Sequence, residues 1–105
     1  MELRDLQKKA EEIAATYRER SKRGGHAPWG TAEYAQGFVG DVGDLMKLIM
    51  AKNHLRDVED VDRKLAHELA DCLWSVIIIA KELDINLEQA FLQTMQELEK
   101  RIGNE

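Results

Sequence analysis

Apolar residues recur along this chain at helical spacing in four stretches, and no segment shows the apolar/polar alternation of a half-buried strand. The first, from about Glu2 to Lys22, carries Leu3, Leu6, Ala10, Ile13, Ala14 and Tyr17 at helical intervals. Gly24, Gly25 and Pro28 break it, leaving a loop that holds His26 and Trp29. Thr31 is a suitable N-cap for a second helix, expected to extend to about Asn53. A polar, acidic connector from Asp57 to Asp62 leads into a third helix that continues to about Glu82. Asp84-Ile85 and the cap-like Asn86 make a short turn, and Leu87 to Ile102 forms a fourth helix that Gly103 ends. The pattern predicts one all-α, four-helix bundle-like domain over residues 1–105.

Two helices depart from simple amphipathicity. The second contains Gly37, Gly40 and Gly43 at three-residue steps, each about 1 kcal/mol worse than Ala in a helix interior, which predicts close approach of another backbone or a ligand. The third turns apolar around nearly its whole circumference at Leu73, Trp74, Val76, Ile77, Ile78 and Ile79. A monomer this small has too little interior for such a helix, so a homodimer or homotetramer is expected.

Composition narrows the function classes. Twenty acids against fifteen bases give a net charge of −5, which argues against a general nucleic-acid binder. The bases Arg18, Arg20, Lys22 and Arg23 are nevertheless clustered before the Gly-Gly break, either to meet phosphates or as a solvated helix end. The single Cys72, within an apolar stretch, predicts a packed thiol and no disulfide framework. The longest apolar run, Cys72 to Ala80, falls well short of the roughly 20 residues that span a bilayer, and no signal peptide precedes it. No membrane partner and a cytoplasmic location are expected.

The chemistry lies in two acidic couplets, Asp41/Asp44 and Glu68/Asp71, each spaced i,i+3 in an apolar helical segment. That spacing puts both members of a couplet on one face, at the edge of the apolar arc and not opposite it. Facing helices would bring four carboxylates together, where mutual repulsion and lost hydration demand either protons or a cation. Hard oxygens suit Mg²⁺ or Mn²⁺, which take further ligands from water and phosphate. Alternatively, these are ordinary rim acids satisfied by Lys or Arg. His26, His54 and His67 lack ligand spacing, and His67, although next to Glu68, points about 100° away.

Gly40-Asp41-Val42-Gly43-Asp44-Leu45, then Glu68-Leu69-Ala70-Asp71, then Leu83-Asp84-Ile85-Asn86-Leu87-Glu88-Gln89-Ala90 resemble the MazG-like all-α nucleoside-triphosphate pyrophosphohydrolases over about Tyr34 to Arg101. The motif of that family is E-x-x-E, a variable linker and E-x-x-D; here 23 residues separate Asp44 from Glu68. The resemblance implies a MazG-type fold and cleavage of a nucleoside or deoxynucleoside triphosphate between the α and β phosphates, a housecleaning of the nucleotide pool. It also implies that Asp41, Asp44, Glu68 and Asp71 hold Mg²⁺, with Mn²⁺ as substitute, and that one of them orients the attacking water. Two departures stand out. Asp41 and Asp44 replace the longer Glu, and Thr94 and Leu98 stand where family members often place a Lys and an Asn; Arg101 keeps the basic type. Phosphate contacts would then fall to Lys52 or to the Arg18–Arg23 cluster. Trp29 is a candidate to stack on a nucleobase, or a pin that holds its loop; Tyr34 shares the stripe of Asp41 and either lines the same pocket or packs beside Phe38. A divergent, inactive nucleotide- or metal-binding protein and a purely structural helical module remain as alternatives.

Overall fold

The helix that carries one acidic couplet packs along the helix that carries the other, and the rest of the molecule is arranged around that pair. The computed structural model describes residues 1–104, with α1 at Leu3–Arg23, α2 at Thr31–Lys52, α3 at Val61–Glu82 and α4 at Leu87–Gly103, and no strand among the described residues. The fold is all-α, as the 3.6-residue periodicity demands. α2 and α3 run antiparallel, with Lys52 pairing to Asp62 at one end and Asp44 lying near Glu68 further along.

Local chemistry sets the ends. The N-cap of α2 is Gly30, not Thr31: the Glu33 carboxylate accepts from the Gly30 N–H at 3.4 Å, which closes the first turn one residue earlier than the threonine suggested. Asn86 caps α4 as expected, its side-chain oxygen accepting from the Gln89 N–H at 3.0 Å. Gly103 lies inside α4 and Asn104 is its C-cap. The α3–α4 turn needs a left-handed residue, and Asp84 supplies it at φ 54° while the Ile85 N–H reaches back to the Ala80 carbonyl at 2.8 Å.

The core is small. Ala10 and Ala14 of α1, Tyr34 of α2, and Ile77 and Ile78 of α3 are buried together, with Trp74, Ile79 and Leu87 packed against them. The two alanines let α1 approach α3 closely enough for the Trp74 indole N–H to donate to the Ala10 carbonyl at 3.2 Å. Of the glycine stripe, only Gly37 meets a close neighbour. A Cβ there would lie 3.2 Å from the Trp29 ring, whereas Gly40 and Gly43 face nothing within 4 Å among the described residues, so the close approach expected along the whole stripe occurs at one position there.

A single protomer leaves much apolar surface uncovered. A soluble monomer of 12.0 kDa exposes about 6,000 Å², whereas this chain exposes 8208 Å². Its radius of gyration is 16.8 Å, against about 13 Å for a compact domain of this length. α4 buries none of its residues, and Leu87, Phe91, Met95, Leu98 and Ile102 fall within one stripe of it.

Candidate functional site

The antiparallel pairing of α2 and α3 sets the couplets face to face. Asp41, Asp44 and Glu68 each offer a carboxylate oxygen within 4.8 Å of the others. Asp71 stands beside this trio, and its Oδ2 lies 3.1 Å from Nε2 of His67, one turn back on the same helix. Three of the four predicted acids thus share one point, and the fourth borders it.

The electrostatics are those of a cluster without its counter-charge. Burial, then the charges of Asp71 and Asp44, push the Asp41 carboxyl above the ordinary carboxylate range. Glu68 is raised by burial and by Asp41, Asp71 and Asp44, and its Oε2 is buried with no hydrogen-bond partner among the described residues. Burial, then the charges of Asp41, Glu68 and Asp71, push the Cys72 thiol up, away from the reactive thiolate. An orphaned carboxylate oxygen inside a trio of hard donors fits a hard divalent cation.

A pH prediction follows from these directions. An acid whose folded-state pKa exceeds its unfolded value contributes stability that is full below the unfolded value and lost as pH rises through the folded one. The metal-free protein is therefore expected to lose melting temperature as pH rises through the carboxyl range. A divalent cation should restore it, and by more at neutral pH than in acid, where protons compete. Thermal melts across pH with and without Mg²⁺ check this; a cation effect that does not vary with pH would contradict it.

The couplets also divide between two cavities. Asp41 and Asp71 line a cleft of about 740 Å³ with Tyr17, Arg18, Trp29, Tyr34 and Trp74, large enough for a nucleotide. Its aromatic wall is continuous: Trp29 meets Tyr34 edge-to-face at 5.5 Å, Tyr34 meets Trp74 at 5.8 Å, and Trp74 meets Tyr17 at 6.3 Å. Trp29 is 54% exposed and available for stacking, while Tyr34 is buried and joins cleft to core. Asp44 and Glu68 line a second cavity of about 370 Å³, with Lys47, Arg56, Arg63, Lys64 and His67.

Two predicted phosphate contacts lie elsewhere. Lys52 pairs with Asp62 Oδ1 at 2.5 Å and ties the end of α2 to the start of α3. Arg101 sits on the exposed α4 and lines neither cavity. Trp74, one of the residues that make α3 apolar around its circumference, also walls the cleft. It stands three residues after Asp71, a spacing that signals a shared face. Arg18, from the basic cluster offered for phosphate, lines the cleft, whereas Tyr17 has no comparable sequence signal, because only the tertiary placement of α1 brings it in.

Comparison with known proteins agrees with the geometry. The model of the MazG nucleotide pyrophosphohydrolase domain matches residues 31–104, from the start of α2 to the end of the described chain. Neither the curated proteins nor the solved structures provide a match to this chain.

Proposed function

Because the chain belongs to the MazG nucleotide pyrophosphohydrolase family, we propose that it hydrolyses a nucleoside or deoxynucleoside triphosphate between the α and β phosphates, releasing a monophosphate and pyrophosphate, and thereby clears surplus or non-canonical nucleotides. The observation that carries this is the trio Asp41, Asp44 and Glu68, with Asp71 at its edge, set between an aromatic cleft and a cationic cavity.

Asp41, Asp44 and Glu68 would hold Mg²⁺, or Mn²⁺ in its place, with Asp71 as the fourth acid. Bound there, the ion would supply neutralising charge for the phosphates and lower the pKa of a bound water. The chain's own groups do the rest. Trp29 offers ring surface for the base, with the buried Tyr34 behind it in the cleft wall, and Arg18 adds a cation to the cleft without an ion-pair partner among the described residues. His67, whose Nε2 lies 3.1 Å from Asp71 Oδ2, stands beside the fourth acid.

We also assign a homo-oligomer to the functional state. The surface in excess of a compact monomer, roughly 2,000 Å² per chain, is of the size buried in obligate assemblies.

Incubation with a panel of ribo- and deoxynucleoside triphosphates plus Mg²⁺, followed by ion-exchange separation of products, tests the activity. Equal amounts of monophosphate and pyrophosphate are expected for at least one substrate. Release of orthophosphate, or no turnover across the panel, would refute the proposal.

A further inference from the structure

The second cavity holds a concentration of positive charge at odds with the rest of the chain. Lys47 projects from α2, Arg56 from the α2–α3 connector, and Arg63 and Lys64 from the start of α3. These four bases share about 370 Å³ with two carboxylates, in a protein whose net charge is −5. Arg63 is engaged by Asp60. Lys47, Arg56 and Lys64 have no carboxylate within 4 Å among the described residues, although Asp44 and Glu68 line the same cavity. Were these cations present only to neutralise the acidic trio, they would be paired with it, and Glu68 Oε2 would not be buried without a partner.

Unpaired cations around a concave space beside a candidate metal site are what a polyphosphate needs. The aromatic cleft on the other side of the carboxylates is shaped for a planar ring and offers only Arg18 as a base. We propose that the cavity formed by Lys47, Arg56 and Lys64 is the pyrophosphate subsite, so that the nucleoside end of a substrate lies in the aromatic cleft, its two terminal phosphates lie among these cations, and the scissile bond falls at the carboxylates. This rests on the proposed hydrolysis for its biological sense, but the subsite itself is a statement about binding. It accounts for Thr94 and Leu98 on α4, since the phosphate contacts come from the connector side of the α2–α3 pair instead.

Calorimetric titration in excess Mg²⁺, with inorganic pyrophosphate and separately with a nucleoside monophosphate, tests it on the intact chain. The double variant Arg56→Gln/Lys64→Gln is expected to bind pyrophosphate about a hundredfold weaker, each lost charge-assisted contact costing about tenfold, and to bind the monophosphate within about twofold of the unaltered protein. Arg56→Lys/Lys64→Arg, which keeps the charge, should recover most of the pyrophosphate affinity. Trp29→Ala should give the opposite pattern, weakening only the monophosphate. Unchanged pyrophosphate affinity in the Gln variant, equal loss of both ligands, or no pyrophosphate binding by the unaltered protein would each overturn the proposal. These titrations need no turnover. Pyrophosphate lost on substitution in a protein that hydrolyses nothing removes the proposed activity and leaves the subsite; hydrolysis with pyrophosphate binding indifferent to the variants does the reverse.

Discussion

Glu68→Gln is expected to lower nucleotide turnover by at least about 10²–10³-fold, the order lost when one preorganised electrostatic contact to a transition state is removed, while leaving the metal-free protein as stable as before or more so. Both halves follow from one atom. Glu68 Oε2 is buried and unpartnered among the described residues, and its carboxyl is raised by burial and by Asp41, Asp71 and Asp44, so ionised Glu68 is held against its own preference. Glutamine keeps the shape and removes the charge, which relieves repulsion in the absence of metal and removes a ligand in its presence. Steady-state turnover, paired with melting curves with and without Mg²⁺, checks it. Retained turnover would refute the role of this acid, and a large fall in metal-free stability would mean that the cluster is structural.

Phe91→Asp is expected to convert a stable oligomer into a species near 12.0 kDa and to lower its melting temperature. Phe91 is 58% exposed in the protomer and sits on the stripe shared with Leu87, Met95, Leu98 and Ile102 of α4. An aromatic side chain at the centre of an interface commonly contributes about 2 kcal/mol or more, and a carboxylate in its place must also be desolvated. Light scattering coupled to size exclusion reads the mass directly. A monomeric unaltered protein at micromolar concentration would refute the assembly itself, and an unchanged oligomer in the variant would move the interface to the exposed Leu73 and Val76 of α3.

Much of this architecture is legible in the sequence because it is carried by short-range rules. Helical periodicity gives all four elements to within a residue or two, and the i,i+3 spacing of Asp41/Asp44 and Glu68/Asp71 gives two-pronged acids before any packing is known. What escapes is whatever depends on side chains meeting across helices. His67 is 100° from its neighbour Glu68, as expected, yet it lies one turn before Asp71 and engages that acid instead. Lys52 has the charge for phosphate, but the antiparallel pairing of α2 and α3 delivers it to Asp62. The cationic cavity could have been suspected, since Lys47 follows Asp44 by three residues and Lys64 precedes Glu68 by four, each on the face of an acid. Arg56 could not, because its position depends on the path of the connector. Gly37 carries the same lesson. Three glycines at equal steps look alike in sequence, and only the fold of the preceding loop decides which of them lies under Trp29.

The outer wall of the aromatic cleft is built by α1, which lies before the region matched by the family model, whereas the carboxylates stand on α2 and α3 within it. α1 rests on α3 largely through Ala10 and Ala14, two small side chains that fix its distance but place few demands on its other faces. Substitutions at Tyr17, Arg18 or Ser21 can therefore alter the width and polarity of the cleft without disturbing the spacing of Asp41, Asp44 and Glu68. Under the proposed function, the helix that would set which base fits is therefore not the pair that holds the acids, so exchanging one helix's surface would change what the cleft accepts and leave the carboxylates where they are.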